Sequence, residues 1–100
     1  MELKRVVVTG LGAITPLGND VRAYWDGLIN GVSGAGPITK FDAENFKTQF
    51  ACEVKGFEVA DFLERKASRK MDLFAQYAVV CSDEAIKDAG LLEEGARSAE

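Results

Sequence analysis

Val6, Val7 and Val8 form an unbroken apolar run near the start of the chain, and Thr9-Gly10-Leu11-Gly12 follows at once. Three β-branched residues without alternation predict a strand over residues 5–9 that is buried on both faces. Such a strand needs a covering layer above and another below. The glycine-rich stretch then runs into a Pro16-Leu17-Gly18 break. Pro16 disfavours a helical conformation at Thr15, and Gly18 admits positive φ, so residues 10–18 read as a turn.

Asn19 is a candidate N-cap for a helix from about Asp20. Val21, Tyr24, Trp25, Leu28 and Ile29 fall on one helical stripe, which predicts core packing for Tyr24-Trp25 rather than a stacking surface. Asn30-Gly31 closes that helix. Gly31, Gly34, Gly36 and Pro37 predict irregular chain over residues 31–47. Thr48 to Val54 alternates, with Phe50, Cys52 and Val54 on one face, as a half-buried strand does. Val59 to Leu63 suggests a short helix. The longest element is expected from about Arg69 to Ala89. Its stripe of Met71, Phe74, Ala75, Ala78, Ser82, Ala85 and Ala89 is mostly small, so another element should approach closely. Gly90 stops it, and Glu93 to Glu100 begins a loop. No internal repeat or low-complexity tract stands out. Two strands and two substantial helices cannot cover both faces of a sheet. The partner layers must come from other sequence or another chain.

Composition narrows the function classes. Hydrophobic residues make up 47% and charged residues 28% of the 100, which fits a globular protein and not a disordered one. The net charge of −4 gives no general attraction to nucleic acid or an anionic membrane. No apolar run is long enough to span a bilayer, and no signal peptide is evident, so a cytoplasmic location is expected. Cys52 and Cys81 match no zinc or redox spacing and read as reduced, buried thiols. Asp20, Asp26, Asp42, Glu44, Asp61, Asp83 and Glu84 are scattered, with no spacing for a metal cage or an acid/base pair. No metal and no cofactor is expected.

Two motifs remain. Thr9 to Thr15 imitates the start of a dinucleotide fingerprint, but Thr15 stands where the third glycine belongs and Pro16 follows. Nicotinamide or flavin binding is therefore not expected. Arg65, Lys66, Arg69 and Lys70 place four cations in six residues of an acidic chain; without them the net charge of −4 would become −8. With Ser68 as an N-cap, Arg69 and Lys70 would occupy a first helical turn and oppose its dipole. On charge alone, a solvated face neutralised by Glu64 and Asp72 stays open beside a docking role.

The stretch Val6 to Asn19 resembles the opening of the β-ketoacyl-acyl-carrier-protein synthases, the condensing enzymes of fatty-acid synthesis. Trp25, Leu28, Gly31-Val32-Ser33-Gly34, Phe41-Asp42, Arg65-Lys66, Arg69-Lys70-Met71-Asp72 and Asp88-Ala89-Gly90-Leu91 extend the likeness. Arg-Lys-Met-Asp is more similar to the type II enzymes. The resemblance implies an α/β, thiolase-like fold of αβαβα layers. Residues 1–100 would be the opening part of its first half, incomplete as an independent domain. It implies decarboxylative Claisen condensation of malonyl-carrier protein with an acyl-enzyme thioester. The implied partner is acyl carrier protein, bearing phosphopantetheine-linked acyl and malonyl groups, and the implied full-length state is a homodimer. Arg65, Lys66, Arg69 and Lys70 would dock the carrier. The family nucleophile is a cysteine in an Ala-Cys-Ala-Thr/Ser elbow, assisted by two histidines. Cys52 sits in Phe-Ala-Cys-Glu-Val, Cys81 sits in Val-Val-Cys-Ser-Asp, and the chain has no histidine. No catalytic residue is therefore expected here. The rivals are a polyketide ketosynthase or its chain-length partner, a small nucleotide-binding oxidoreductase domain, and a non-enzymatic module that uses the basic patch.

Overall fold

The structure, a computed structural model, describes residues 2–91. Helix α1 (Val21–Ile29) opens one residue later than expected. Asp20 is extended at φ −150°, and its Oδ1 accepts the Ala23 N–H at 2.7 Å. Asn19 instead donates its side-chain amide to the Lys55 carbonyl at 2.9 Å. Asn30 caps the other end, and Gly31 follows at φ 65°. Strand β1 (Ala35–Pro37) then pairs antiparallel with β2 (Phe50–Cys52), Ala35 opposite Cys52 and Pro37 opposite Phe50. The stretch expected to be irregular thus contains a short strand. The Ile38 N–H bonds the Gln49 carbonyl at 3.0 Å, so by alternation the nitrogen of Pro37 points away from β2 and its missing N–H costs no ladder bond. The burial of β2 is the reverse of the expected pattern. Ala51 is half-buried while Phe50 and Cys52 are exposed, because nothing among the described residues packs on the Phe50 face.

Beside this ribbon, the Glu53 carboxylate gathers the Thr39 hydroxyl at 2.8 Å and the backbone N–H groups of Thr39 and Lys40. The Thr39 hydroxyl first, then those amides, hold the Glu53 carboxyl below its ordinary range. The Lys55 ammonium donates to the carbonyls of Pro16, Gly34 and Glu53 at 2.9–3.3 Å, joining the turn before α1 to the ribbon.

The second half holds a 3₁₀ turn (Val59–Asp61), helix α2 (Arg65–Ser68) and helix α3 (Leu73–Asp88). Phe57 stacks on Phe62 and meets Tyr77 edge-on at 4.9 Å, which anchors the 3₁₀ turn to α3. The helix expected from about Arg69 begins later, at Leu73, and α2 precedes it as a separate short helix. Asp72, extended at ψ 161°, precedes α3. Ser68 is no N-cap: it is buried at the end of α2, and its Oγ donates to the Arg65 carbonyl at 2.9 Å. Gly90, at φ 74°, follows α3. The loop expected from Glu93 to Glu100 lies outside the described residues.

Helix α3 receives the glycine-rich segment directly. A Cβ on Gly12 would lie 1.8 Å from the Cys81 carbonyl oxygen, and one on Gly10 would lie 2.2 Å from that of Ala85. Close approach to the small residues was expected; the partner is extended glycine backbone. The rest of the expected stripe is only partly covered: Met71 and Ala75 are half-buried, Phe74, Ala78 and Ser82 are exposed, and the buried side chain of α3 among the described residues is Val80. Thr15 and Gly18 exchange backbone hydrogen bonds of 2.8 and 3.2 Å across the Pro16-Leu17 turn. Gly18 has no positive φ. It is required because a Cβ there would meet that of Ala23 at 2.4 Å.

Burial also departs from expectation along the valine run and on α1. Val6, Val7 and Val8 are 89%, 59% and 78% exposed, lie outside any strand, and make no backbone hydrogen bond among the described residues. On α1, Trp25 is 60% exposed, and Leu28 and Ile29 are exposed beside it. Ala43 and Val80 are the buried apolar side chains among the described residues. The chain exposes 8470 Å², against about 5,500 Å² for a compact protein of this length. An apolar run becomes a buried strand only when neighbours supply hydrogen bonds and cover, and the described residues supply neither. Cys52 is exposed and Cys81 half-buried, both as free thiols, so Cys52 departs from the buried state expected of it.

Candidate functional site: a basic elbow beside a carboxylate clasp

Alternate N–H groups of an extended segment point the same way. Those of Leu11 and Ala13 meet carboxylates one turn apart on α3: Leu11 donates to Asp88 Oδ2 at 3.0 Å, and Ala13 to Glu84 Oε1 at 2.9 Å. Glu84 Oε2 also takes the Val21 N–H at 3.0 Å, tying the first turn of α1 to α3. Amides that would cradle a pyrophosphate are therefore occupied, and by anions, which opposes the dinucleotide reading as firmly as Thr15 and Pro16 do. In sequence, Glu84 is one of a scatter of carboxylates, and Asp88 stands out only within the family-like stretch Asp88 to Leu91. Their spacing of four on a small-residue helix was the available signal.

A groove of about 850 Å³ runs between α1 and α3, bordered by Trp25, Val80, Asp83, Glu84, Lys87 and Asp88. It holds no free acid/base pair. Glu84 and Asp88 accept backbone amides, and Asp83 pairs with Lys87 at 2.8 Å. Cys81 lies in the middle of α3 and Cys52 in β2, neither at a strand-to-helix elbow, and the sequence contains no histidine. No three potential metal ligands converge among the described residues, and no helix among them is long and apolar enough to cross a membrane.

The structure brings Arg65, Lys66, Arg69 and Lys70 together on one elbow. Arg65 and Lys66 open α2, Arg69 caps its C-terminal end, and Lys70 follows in the turn. Backbone bonds from Arg69 to Arg65 (3.1 Å), from Lys70 to Ala67 (3.2 Å) and from Met71 to Ser68 (3.1 Å) wind the segment. All four side chains are exposed, and none lies within ion-pair distance of a carboxylate among the described residues. The neutralising role considered for Glu64 and Asp72 takes no ion-pair form. The dipole conflict expected of Arg69 and Lys70 does not arise, because Arg69 sits at a helix C-terminus and Lys70 in the turn beyond it; it falls instead on Arg65 and Lys66, which open the four-residue α2. Gln76, unmarked in the sequence, joins this elbow to α3: its Nε2 donates to the carbonyls of Ser68 at 3.0 Å and Met71 at 3.3 Å. Exposed charge without counter-charge attracts an oppositely charged surface over about 8 Å at physiological salt.

The described residues thus combine apolar faces without cover and an exposed basic elbow, and no nucleophile–base pair is found among them. The family described as beta-ketoacyl synthase, N-terminal domain, matches residues 3–100, and the chain belongs to that family. The chain is 53% identical over 92 residues to 3-oxoacyl-[acyl-carrier-protein] synthase 2 of Synechocystis sp., covering 92% of this chain and 22% of that protein. The synthase 2 of Coxiella burnetii is 50% identical, with 91% and 22% covered, and that of Staphylococcus aureus strain COL is 47% identical, with 88% and 21% covered. Among solved structures, the ishigamide ketosynthase/chain length factor matches with a TM-score of 0.80 at 43% identity, over 88% of this chain and 22% of that one. The chain thus spans about a fifth of the length of the relatives it matches.

Proposed function

We propose that residues 1–100 are the N-terminal segment of a β-ketoacyl-acyl-carrier-protein synthase of the type 2 kind, acting in fatty-acid elongation. The observation that carries this reading is the 53% identity, over 92% of the chain, to a protein of that name. In the reaction, an acyl group passes from the phosphopantetheine thiol of acyl carrier protein to an enzyme cysteine. Malonyl-carrier protein then loses carbon dioxide, and its carbanion attacks the acyl-enzyme thioester and expels the thiolate. The cysteine and the two histidines of that chemistry lie outside these 100 residues, which contain no histidine. This segment contributes scaffold and a docking surface. The thiolase-like αβαβα layers would supply the cover that Val6–Val8 and α1 lack. A cytoplasmic homodimer completes the reading.

Arg65, Lys66, Arg69 and Lys70 dock the acidic carrier protein, a role supported by their exposure and lack of ion pairs among the described residues. In the full-length enzyme, Lys66→Glu with Arg69→Glu should lower kcat/KM for carrier-loaded substrate about tenfold and flatten its salt dependence, relative to a small carrier-free thioester. Equal losses on both substrates would make the elbow a fold element, and no loss on either would make it a solvated face. A polyketide ketosynthase or chain-length partner is the second reading, favoured by the ishigamide neighbour. Glutamine in place of the elbow cysteine in the full sequence would select the chain-length partner.

A further inference from the structure

We infer that Gln76 is a positioning residue for carrier docking, an inference that rests on the docking role proposed for the basic elbow. Helix α2 is four residues long, and four like charges lie on or just beyond it. So short a helix is marginal by itself. Like charges four residues apart, as in Arg65 with Arg69 and Lys66 with Lys70, loosen it further. The elbow therefore takes its geometry from a longer element.

The 16-residue α3 supplies that support through one side chain. Gln76 is half-buried in the first turn of α3 and reaches back toward the helix N-terminus. Its amide nitrogen carries two N–H donors, and the carbonyls of Ser68 and Met71, at 3.0 and 3.3 Å, lie on either side of Arg69 and Lys70 in the chain. Ser68 is buried and bonds back to the Arg65 carbonyl, so the restraint extends to the start of α2. Asp72 makes no side-chain capping bond, which leaves Gln76 as the side-chain hydrogen-bond link from α3 to the elbow among the described residues. The fit is specific to a carboxamide. Methionine of the same length offers no donor, and a glutamate carboxylate would set oxygens against oxygens.

Gln76 acts through the four cations by fixing their spacing, so its loss should appear in recognition of the carrier and not in turnover. The test uses the full-length synthase, assayed with carrier-loaded substrate and with a small carrier-free thioester. Gln76→Met and Gln76→Glu should raise KM for the carrier-loaded substrate about threefold or more, with kcat and carrier-free turnover unchanged. Lys66→Glu/Arg69→Glu is run in parallel. If that variant raises the carrier KM and both Gln76 variants do not, positioning by Gln76 is overturned while docking stands. If the charge reversal leaves the carrier KM unchanged, the docking role itself fails. Loss of carrier-free turnover in both Gln76 variants would also overturn the inference, by making Gln76 a residue of the fold.

Discussion

Gly12 is needed because α3 leaves no space for a side chain beside it. Its φ is not positive, yet an added Cβ would lie 1.8 Å from the Cys81 carbonyl oxygen. Backbone cannot yield there as a flexible side chain would. Gly12→Ala should therefore destabilise the full-length enzyme by about 3 kcal/mol, the upper part of the usual range for overpacking, read as a lowered midpoint in denaturant at unchanged slope. An unchanged midpoint would mean that the segment does not lie on α3. Some of this was legible in sequence. The small residues Ala85 and Ala89 announced close approach, and Thr15-Pro16 announced that no dinucleotide loop follows. Glu84 and Asp88 were not legible as a clasp, because their partners are backbone amides 71 and 77 residues away, and a backbone amide has no sequence signature. Gln76 was invisible for the same reason.

The elements were legible where their determinants are local. The closing of α1 at Asn30-Gly31 and the stop at Gly90 follow from residues in place. The start of α3 was placed too early because no proline or glycine marks it; Asp72 simply leaves the helical region. The reversed burial of β2 was missed because alternation shows that two faces differ and not which one is covered. Next to that ribbon, Glu53 offers a pH test. Its carboxyl is held below the ordinary glutamate value, chiefly by the Thr39 hydroxyl. A folded-state value below the unfolded one gives a contribution that is complete above the unfolded value and lost as pH falls through the lowered one. The Thr39–Glu53 clasp should thus persist at neutral pH and open only on the acid side. Carboxyl ¹³C titration should find Glu53 below ordinary glutamates, and Thr39→Val should move it up. Titration at the ordinary value in the unaltered protein would remove the clasp.

For the molecule as a whole, the apolar pattern demanded more cover than the described residues provide. Val6–Val8, Trp25 and Ile29 carry the composition of a core and the exposure of a surface. A buried strand can be read from three valines, but the strands and helices that bury it cannot. Membership of the β-ketoacyl synthase family and a span of about a fifth of its relatives fit that deficit. The central claim is that this segment becomes a finished layer only inside a larger fold, where it supplies scaffold and docking charge instead of chemistry. Amide hydrogen exchange at Val6, Val7 and Val8 tests it most directly, measured in the full-length enzyme and in the 100-residue chain expressed alone. The account predicts exchange near the global unfolding limit in the full-length enzyme and almost no protection in the isolated chain. Rapid exchange in the full-length enzyme, or cooperative protection in the isolated chain, would contradict it.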